Sequence, residues 1–203
     1  MIGIIDYGRG NLSSVESALR HGGIPSVISD DPEVLRRCGG LILPGVGAFR
    51  DGMEDLQHRG LVPFLHEAVA RDIPMLGICL GLHLLFDVGE EDGETQGLGI
   101  LPGRVERLTT TLKVPHIGWN DLSIRHLDSP LFHGIHDGDP FYFVHSYQAH
   151  PVDSEVILAT CDYGQDVVAA VGSGKVFGVQ FHPEKSSGKG LLLLQNFGRM
   201  VES

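Results

Sequence analysis

The sequence predicts an α/β fold: a mostly parallel central sheet with helices on both faces, followed by a β-rich second half. Three observations lead there. Short apolar runs of strand length alternate with amphipathic helical stretches from Ile2 to Phe86, the pattern of βαβ units whose parallel strands are buried on both faces. From Gly103 onward the helical period gives way to strand-like runs. The 28 glycines and 42% hydrophobic content suit a sheet protein with many tight turns. One domain over residues 1–203 is expected, because no composition break or disordered tract divides the chain.

Taken in order, Ile2 to Asp6 reads as a buried first strand, and Tyr7-Gly8-Arg9-Gly10 as the turn after it. Asn11 is a good N-cap for a helix with Leu12, Val15 and Leu19 on one face, ended by Gly22-Gly23. Ser26 to Ser29 is a second strand, and Asp31-Pro32 opens a short helix to Arg37. Leu41 to Leu43 is a third strand, closed by Pro44-Gly45-Val46-Gly47. Helical spacing runs through Gly52 to Gln57 and Leu61 to Arg71. Met75 to Ile78 is a strand, and Leu80 to Phe86 a helix. The acidic, polar stretch Asp87 to Gly97 predicts an exposed loop. Strands follow at Arg104 to Leu108, Ile117 to Ile124, Phe141 to Tyr147 and Val156 to Thr160. Val167 to Val171 and Val176 to Phe181 form a hairpin through Gly172-Ser173-Gly174, and a helix from Gly190 to Val201 closes the chain.

The chemistry centres on Gly77-Ile78-Cys79-Leu80-Gly81. A cysteine at a strand-to-helix junction, with glycine two residues away on each side, has the spacing of a nucleophile elbow. The turn crowds both flanks, so side chains there are excluded, and positive φ falls easily to glycine. Free N–H groups at the start of the following helix favour the thiolate. Taken alone, Cys79 is also readable as a small buried strand-end residue.

A thiol needs a base. His182 ends a strand in Phe177-Gly178-Val179-Gln180-Phe181-His182-Pro183-Glu184, and Glu184 is two residues on. In extended chain those side chains share a face, so the carboxylate can orient the imidazole. A glycine pair after a strand can aim a peptide N–H into the crevice at the sheet's C-terminal edge. An N–H from the Pro44–Gly47 loop and that of Leu80 then make a two-donor oxyanion hole, with the Val46–Gly47 peptide turning over as substrate binds.

Charge and cysteine usage limit the partners. A formal net charge of −11 argues against nucleic acid or an anionic membrane, and no apolar run reaches membrane-spanning length. Cys38, Cys79 and Cys161 are odd in number without CxxC spacing, which favours free thiols in a reducing cytoplasm. The N-terminus meets Asp6 too soon for a signal peptide. His133-Gly134-Ile135-His136 has no third ligand at metal spacing, and Gly8-Arg9-Gly10-Asn11 is only a partial dinucleotide fingerprint. No cofactor or metal is expected.

Three motifs in the same order, Pro44-Gly45-Val46-Gly47, Gly77-Ile78-Cys79-Leu80-Gly81 and His182-Pro183-Glu184-Lys185-Ser186, resemble the class I (triad) glutamine amidotransferases, whose fold is flavodoxin-like. Asp6-Tyr7-Gly8-Arg9-Gly10-Asn11, His116-Ile117-Gly118-Trp119-Asn120 and Tyr142-Phe143-Val144-His145-Ser146-Tyr147 narrow the resemblance to glutaminase subunits of imidazole glycerol phosphate synthases. It spans essentially the whole chain. The resemblance implies Cys79 as nucleophile, His182 as general acid/base and Glu184 as its orienting residue. It further implies oxyanion donors at Gly47 and Leu80, and L-glutamine contacts at His83, Ser146 and Tyr147. The implied partner is a (β/α)8-barrel cyclase subunit, joined as a heterodimer at the active-site face through Asn11, Trp119, Tyr142 and Lys185. One departure stands out. Family members usually carry Met-Gln where this chain has Leu82-His83, and imidazole lacks the two-ended geometry of an amide. Glutamine affinity or its pH dependence is expected to differ accordingly.

Overall fold

A computed structural model describes residues 1–202. In chain order the elements are β1 (Ile2–Ile5), α1 (Leu12–His21), β2 (Ser26–Ser29), α2 (Pro32–Leu35), β3 (Gly40–Leu43), α3 (Phe49–His58), α4 (Leu61–Ala70), β4 (Met75–Ile78) and α5 (Leu80–Leu84). There follow β5 (Phe86–Gly89), β6 (Thr95–Gln96), β7 (Leu101–Arg107), β8 (His116–Asp121), β9 (Ser123–Ile124), β10 (Pro140–His145), β11 (Tyr147–Pro151), β12 (Ile157–Asp162), β13 (Asp166–Ser173), β14 (Val176–Val179) and α6 (Ser187–Glu202). The central sheet runs β2-β1-β3-β4-β14-β13-β12-β9. Its pairs from β2 to β14 are parallel and the remaining three antiparallel.

Alternation along the strands explains the layers. Ile2, Ile4 and Ile42 face Val15 and Leu19 of α1 and Leu193, Leu194 and Phe197 of α6. Ile5, Leu41 and Leu43 face the other way, onto Phe49, Met53, Phe64 and Leu65 of α3 and α4. Each face of the parallel strands is therefore closed by helices, as strands apolar on both sides require. Local signals fix the ends. Asn11 caps α1 through the Ser14 N–H at 3.3 Å, and Asp31 caps α2 through the Glu33 N–H at 2.8 Å. No helix among the described residues is long and apolar enough to cross a membrane.

Several expectations are corrected. Asp87 to Gly97 is not simply a loop: Val88 and Gly89 pair with Gln96 and Thr95, in a second sheet ordered β11-β7-β5-β6. The helix after Cys79 stops at Leu84, because Phe86 already pairs with Leu101. Ile117 to Ile124 splits at Leu122, β8 pairing with β10 and β9 with β12. Phe141 to Tyr147 splits at Ser146, between the β8–β10 ribbon and the second sheet. Continuous apolar runs hid these changes of sheet. α3 starts at Phe49 rather than Gly52, since the Phe49 N–H is capped by the Glu91 carboxylate at 2.9 Å, a partner remote in sequence.

Candidate active site

Parallel pairing of β4 with β14 sets Ile78 opposite Val179, so the two chains leave the sheet edge side by side at Cys79 and Gln180. The Cys79 N–H donates to the Val179 carbonyl at 2.8 Å. Cys79 itself has φ 54° and ψ −107°, a conformation that costs a side-chain-bearing residue roughly 1–3 kcal/mol. Positive φ thus falls on the cysteine, and on neither flanking glycine. The glycines answer to close packing. A Cβ on Gly81 would overlap the Leu43 carbonyl oxygen, and one on Gly77 would come within 2.6 Å of the Gly81 oxygen.

His182 follows at the end of the same edge. Its N–H donates to the Tyr142 carbonyl at 2.9 Å, and its Nδ1 is 2.8 Å from Glu184 Oε1. The expected reason for that contact was extended chain. Instead, Pro183–Lys185 forms a 3-10 turn that swings the carboxylate back to the ring. Both side chains are almost fully buried, at 3% and 2% exposure. Burial pushes the imidazole down, but the Cys79 sulfur and the Glu184 carboxylate outweigh it and hold His182 at about 9. Nε2 is buried and, the Cys79 sulfur apart, meets no hydrogen-bond partner among the described residues, so its proton faces the thiol. The structure therefore brings Cys79, His182 and Glu184 together. Because α5 spans only five residues, its dipole is small, and the imidazolium is the main positive charge at the sulfur.

A cavity of about 410 Å³ opens onto Cys79, lined by Gly47, Leu80, His83, Ser146 and Tyr147 among others. All five expected oxyanion and glutamine positions reach it. Gly47, at φ +109°, can take the turn that a side chain would resist. The Leu80 N–H is occupied, donating to the Gly45 carbonyl at 3.3 Å. His83 is buried, with Nε2 2.7 Å from Gln180 Oε1.

Two features escaped the sequence reading. Glu91, placed there in a solvated loop, is the one carboxylate lining the cavity among the described residues, and its Oε2 accepts the Phe49 N–H at the start of α3. Its loop carried no periodic signal pointing inward. The second is a histidine pair behind Tyr147. His145 Nδ1 donates to the Tyr147 carbonyl at 2.8 Å, so its Nε2 must accept from His116 Nδ1 at 2.9 Å. Burial pushes His145 down to about 3 and His116 to about 4, which keeps both neutral and the Ser146–Tyr147 segment fixed.

The expected docking positions ring the same edge. Trp119 is 53% exposed and meets Tyr142 edge-on across the β8–β10 pair, ring centroids 6.0 Å apart. Tyr142 is tied to the turn after His182 by its N–H, which donates to Ser186 Oγ at 3.0 Å. Lys185 is exposed in that turn, and exposed Asn11 caps α1, which packs against it. Among the described residues no group of three His, Cys, Asp or Glu side chains is set to hold a metal, His133 and His136 included.

With this geometry in place, the model of the "Glutamine amidotransferase class-I" family matches residues 3–200. The chain belongs to the class-I glutamine amidotransferases. It is 51% identical over 200 residues to "Imidazole glycerol phosphate synthase subunit HisH" of Moorella thermoacetica, covering 98% of this chain and 95% of that protein. To the protein of the same name from Geobacillus kaustophilus it is 54% identical over 203 residues, covering 97% and 95%. Among solved structures, a glutamine amidotransferase superposes with a TM-score of 0.79 at 22% identity, over 100% of this chain and 99% of that one. A glutamine amidotransferase from Thermotoga maritima does so with 0.72 at 17%, over 100% and 97%. Those structures share the amidotransferase fold with this chain, parallel sheet and β-rich second half included.

Proposed function

We propose that residues 1–203 form one amidotransferase domain, the glutaminase subunit of an imidazole glycerol phosphate synthase. It hydrolyses L-glutamine and hands ammonia to a (β/α)8-barrel cyclase subunit in a cytoplasmic heterodimer. There the ammonia serves to make imidazole glycerol phosphate and AICAR in histidine biosynthesis. The observation that carries the reading is the buried Cys79, His182 and Glu184 group, whose cysteine lines a cavity of about 410 Å³.

In this reading the Cys79 thiolate attacks the glutamine carboxamide carbon. The His182 imidazolium gives its Nε2 proton to the departing nitrogen, so that ammonia leaves and a glutamyl thioester remains. The neutral imidazole then takes a proton from water, whose oxygen attacks the thioester and releases glutamate. Glu184 keeps Nδ1 protonated throughout, through the 2.8 Å contact. Glu91 is placed for glutamine's α-ammonium, and the Ser146–Tyr147 backbone for its α-carboxylate. Gly47 and Leu80 supply the oxyanion donors once the Leu80–Gly45 bond opens and the Val46–Gly47 peptide turns over.

Ammonia released into neutral water becomes mostly ammonium, which is not nucleophilic, so direct transfer to a docked partner is required. Exposed Trp119 with half-buried Tyr142, Lys185 and Asn11 form the docking face. The test is glutamate production from glutamine, with and without the cyclase and its nucleotide ligand. Wild type is expected to turn over with the cyclase present, and Cys79→Ala in neither condition. Normal release by Cys79→Ala would overturn the nucleophile, and turnover of peptides or esters without the cyclase would point to a different cysteine hydrolase. Full turnover by Gly47→Pro would remove the oxyanion role of that peptide.

A further inference from the structure

His83 lies one turn after Cys79 in α5, its N–H reaching back to the Cys79 carbonyl at 3.3 Å. It lines the cavity, but its ring nitrogen Nε2 is turned to a protein partner. Nε2 is 2.7 Å from Oε1 of Gln180, a residue with no exposed surface, and the other end of that carboxamide, Nε2, is 3.9 Å from Cys79 Sγ. The Gln180 main chain is pinned to the sheet, its N–H donating to the Ala169 carbonyl at 2.9 Å. Only the side-chain amide is left to be oriented.

A carboxamide has one accepting end and one donating end. Left alone, the Gln180 amide can turn over and set its oxygen against the sulfur, where two electron-rich atoms repel. In the tautomer with its proton on Nε2, the His83 ring can donate only to Oε1, and this fixes the choice. The NH2 group must then face Cys79. Burial pushes the His83 imidazole down to about 4 against the opposing hydrogen bond to Gln180, so the ring is neutral while it does this. The titratable groups that also act on the sulfur, His182 and Tyr7, approach it from other elements and do not contact the amide in a hydrogen bond.

We propose that His83 is a positioning residue rather than a glutamine-binding one: it locks the Gln180 carboxamide so that an amide N–H is presented to the Cys79 sulfur. That donor stabilises sulfur wherever it carries negative charge, as the free thiolate and again when the thioester breaks. The role rests on Cys79 being the nucleophile, and it gives the departure from the family's usual Gln a physical content.

The test separates this role from the glutaminase reading itself. Iodoacetamide modification of Cys79, followed by peptide mass spectrometry from pH 5 to 10, requires no glutamine and no turnover. In His83→Phe the modification profile is expected to move about one unit to higher pH. With the cyclase bound, kcat for glutamine hydrolysis is expected to fall about tenfold while KM stays within about twofold. His83→Gln offers an amide N–H to Oε1 and should recover most of both losses. Gln180→Leu removes the donor from the other end and should reproduce the shift, with no further shift in the double variant. A raised KM in His83→Phe with an unmoved modification profile would overturn the proposal and return His83 to substrate binding. An unmoved profile in a folded Gln180→Leu would overturn it equally. Failure of the wild-type protein to release glutamate would instead count against the glutaminase reading alone.

Discussion

Glu184→Gln isolates one charge in the site. The carboxylate meets His182 Nδ1 at 2.8 Å with both side chains buried, and its other oxygen, Oε2, is buried with no hydrogen-bond partner among the described residues. Glutamine can therefore keep its carbonyl oxygen on Nδ1 and place its NH2 where Oε2 lay, losing no second bond. What disappears is the negative charge. A hydrogen bond to a charged group contributes about 1.5–3 kcal/mol. At about 1.4 kcal/mol per pH unit, the imidazolium should lose its proton about one to two units lower than the value of about 9 it holds in the wild type. The sign follows from the chemistry: the carboxylate favours the charged ring, so removing it favours the neutral one.

The assay is glutamate release in the complex with cyclase, coupled to glutamate dehydrogenase and run from pH 6 to 10. The alkaline limb of kcat, where His182 can no longer protonate the leaving nitrogen, should move down by about one to two units. At neutral pH kcat should fall by up to about 10- to 150-fold where deacylation limits turnover, because that step builds the imidazolium which the carboxylate stabilises, with little change in KM. Larger losses would mean that the amide also turned over and reversed the imidazole tautomer. Normal turnover with the alkaline limb in place would refute the assignment of Glu184 to His182, and with it the account of why the buried ring stays charged.

Three other outcomes follow from the same structure. Gly81→Ala drives a methyl into the Leu43 carbonyl, overpacking expected to cost about 1–3 kcal/mol and to lower Tm by roughly 2–12 °C; an unchanged melting curve would sink the packing argument. His83 and His145 are held neutral down to about 4 and about 3, while an unfolded histidine gains its proton near 6.5. The stability they contribute is present above that value and is lost as pH falls through it, by about 1.4 kcal/mol per unit for each ring, so urea midpoints should drop steeply between pH 6.5 and 4 and a flat profile would contradict the buried, neutral assignment. Trp119→Ala removes the half-exposed ring facing Tyr142 and should weaken binding to the cyclase at least about 30-fold by calorimetry while Tm of the isolated chain barely moves; an unaltered Kd would place the docking face elsewhere.

Much of the fold could be read from local signals, because those signals act locally. The Asn11 and Asp31 caps place two helix starts to the residue, and Ser26–Ser29 and Met75–Ile78 have the expected bounds. What escaped depended on partners far along the chain. Nothing near Leu122 or Ser146 says that the next strand pairs in another sheet, and the start of α3 is set by Glu91. The site divides the same way. Cys79 and His182 are marked by turn chemistry, glycine spacing on one side and a following proline on the other. Glu91 carries no periodicity or spacing that points inward, and His145, though it alternates inward with Phe141 and Phe143, meets His116 only once β8 and β10 are paired.

The resting geometry also says something about control. The Leu80 N–H, which an oxyanion hole needs, is already bonded to the Gly45 carbonyl, so the nucleophile is in place before one of its electrophilic partners is. Ion pair and hole need not mature together. His182, Glu184 and Gln180 are fixed by strand pairing and burial, which ligands at the surface alter little. The Pro44–Gly47 turn, by contrast, carries half-exposed Val46 and a glycine at φ +109°, the combination that lets a peptide reverse at low cost. Opening the Leu80–Gly45 bond costs on the order of 1 kcal/mol, small beside what glutamine and a docked partner together can supply. In the proposed reading that division separates a nucleophile and base held by the sheet from a donor pair that completes when the Pro44–Gly47 turn rearranges.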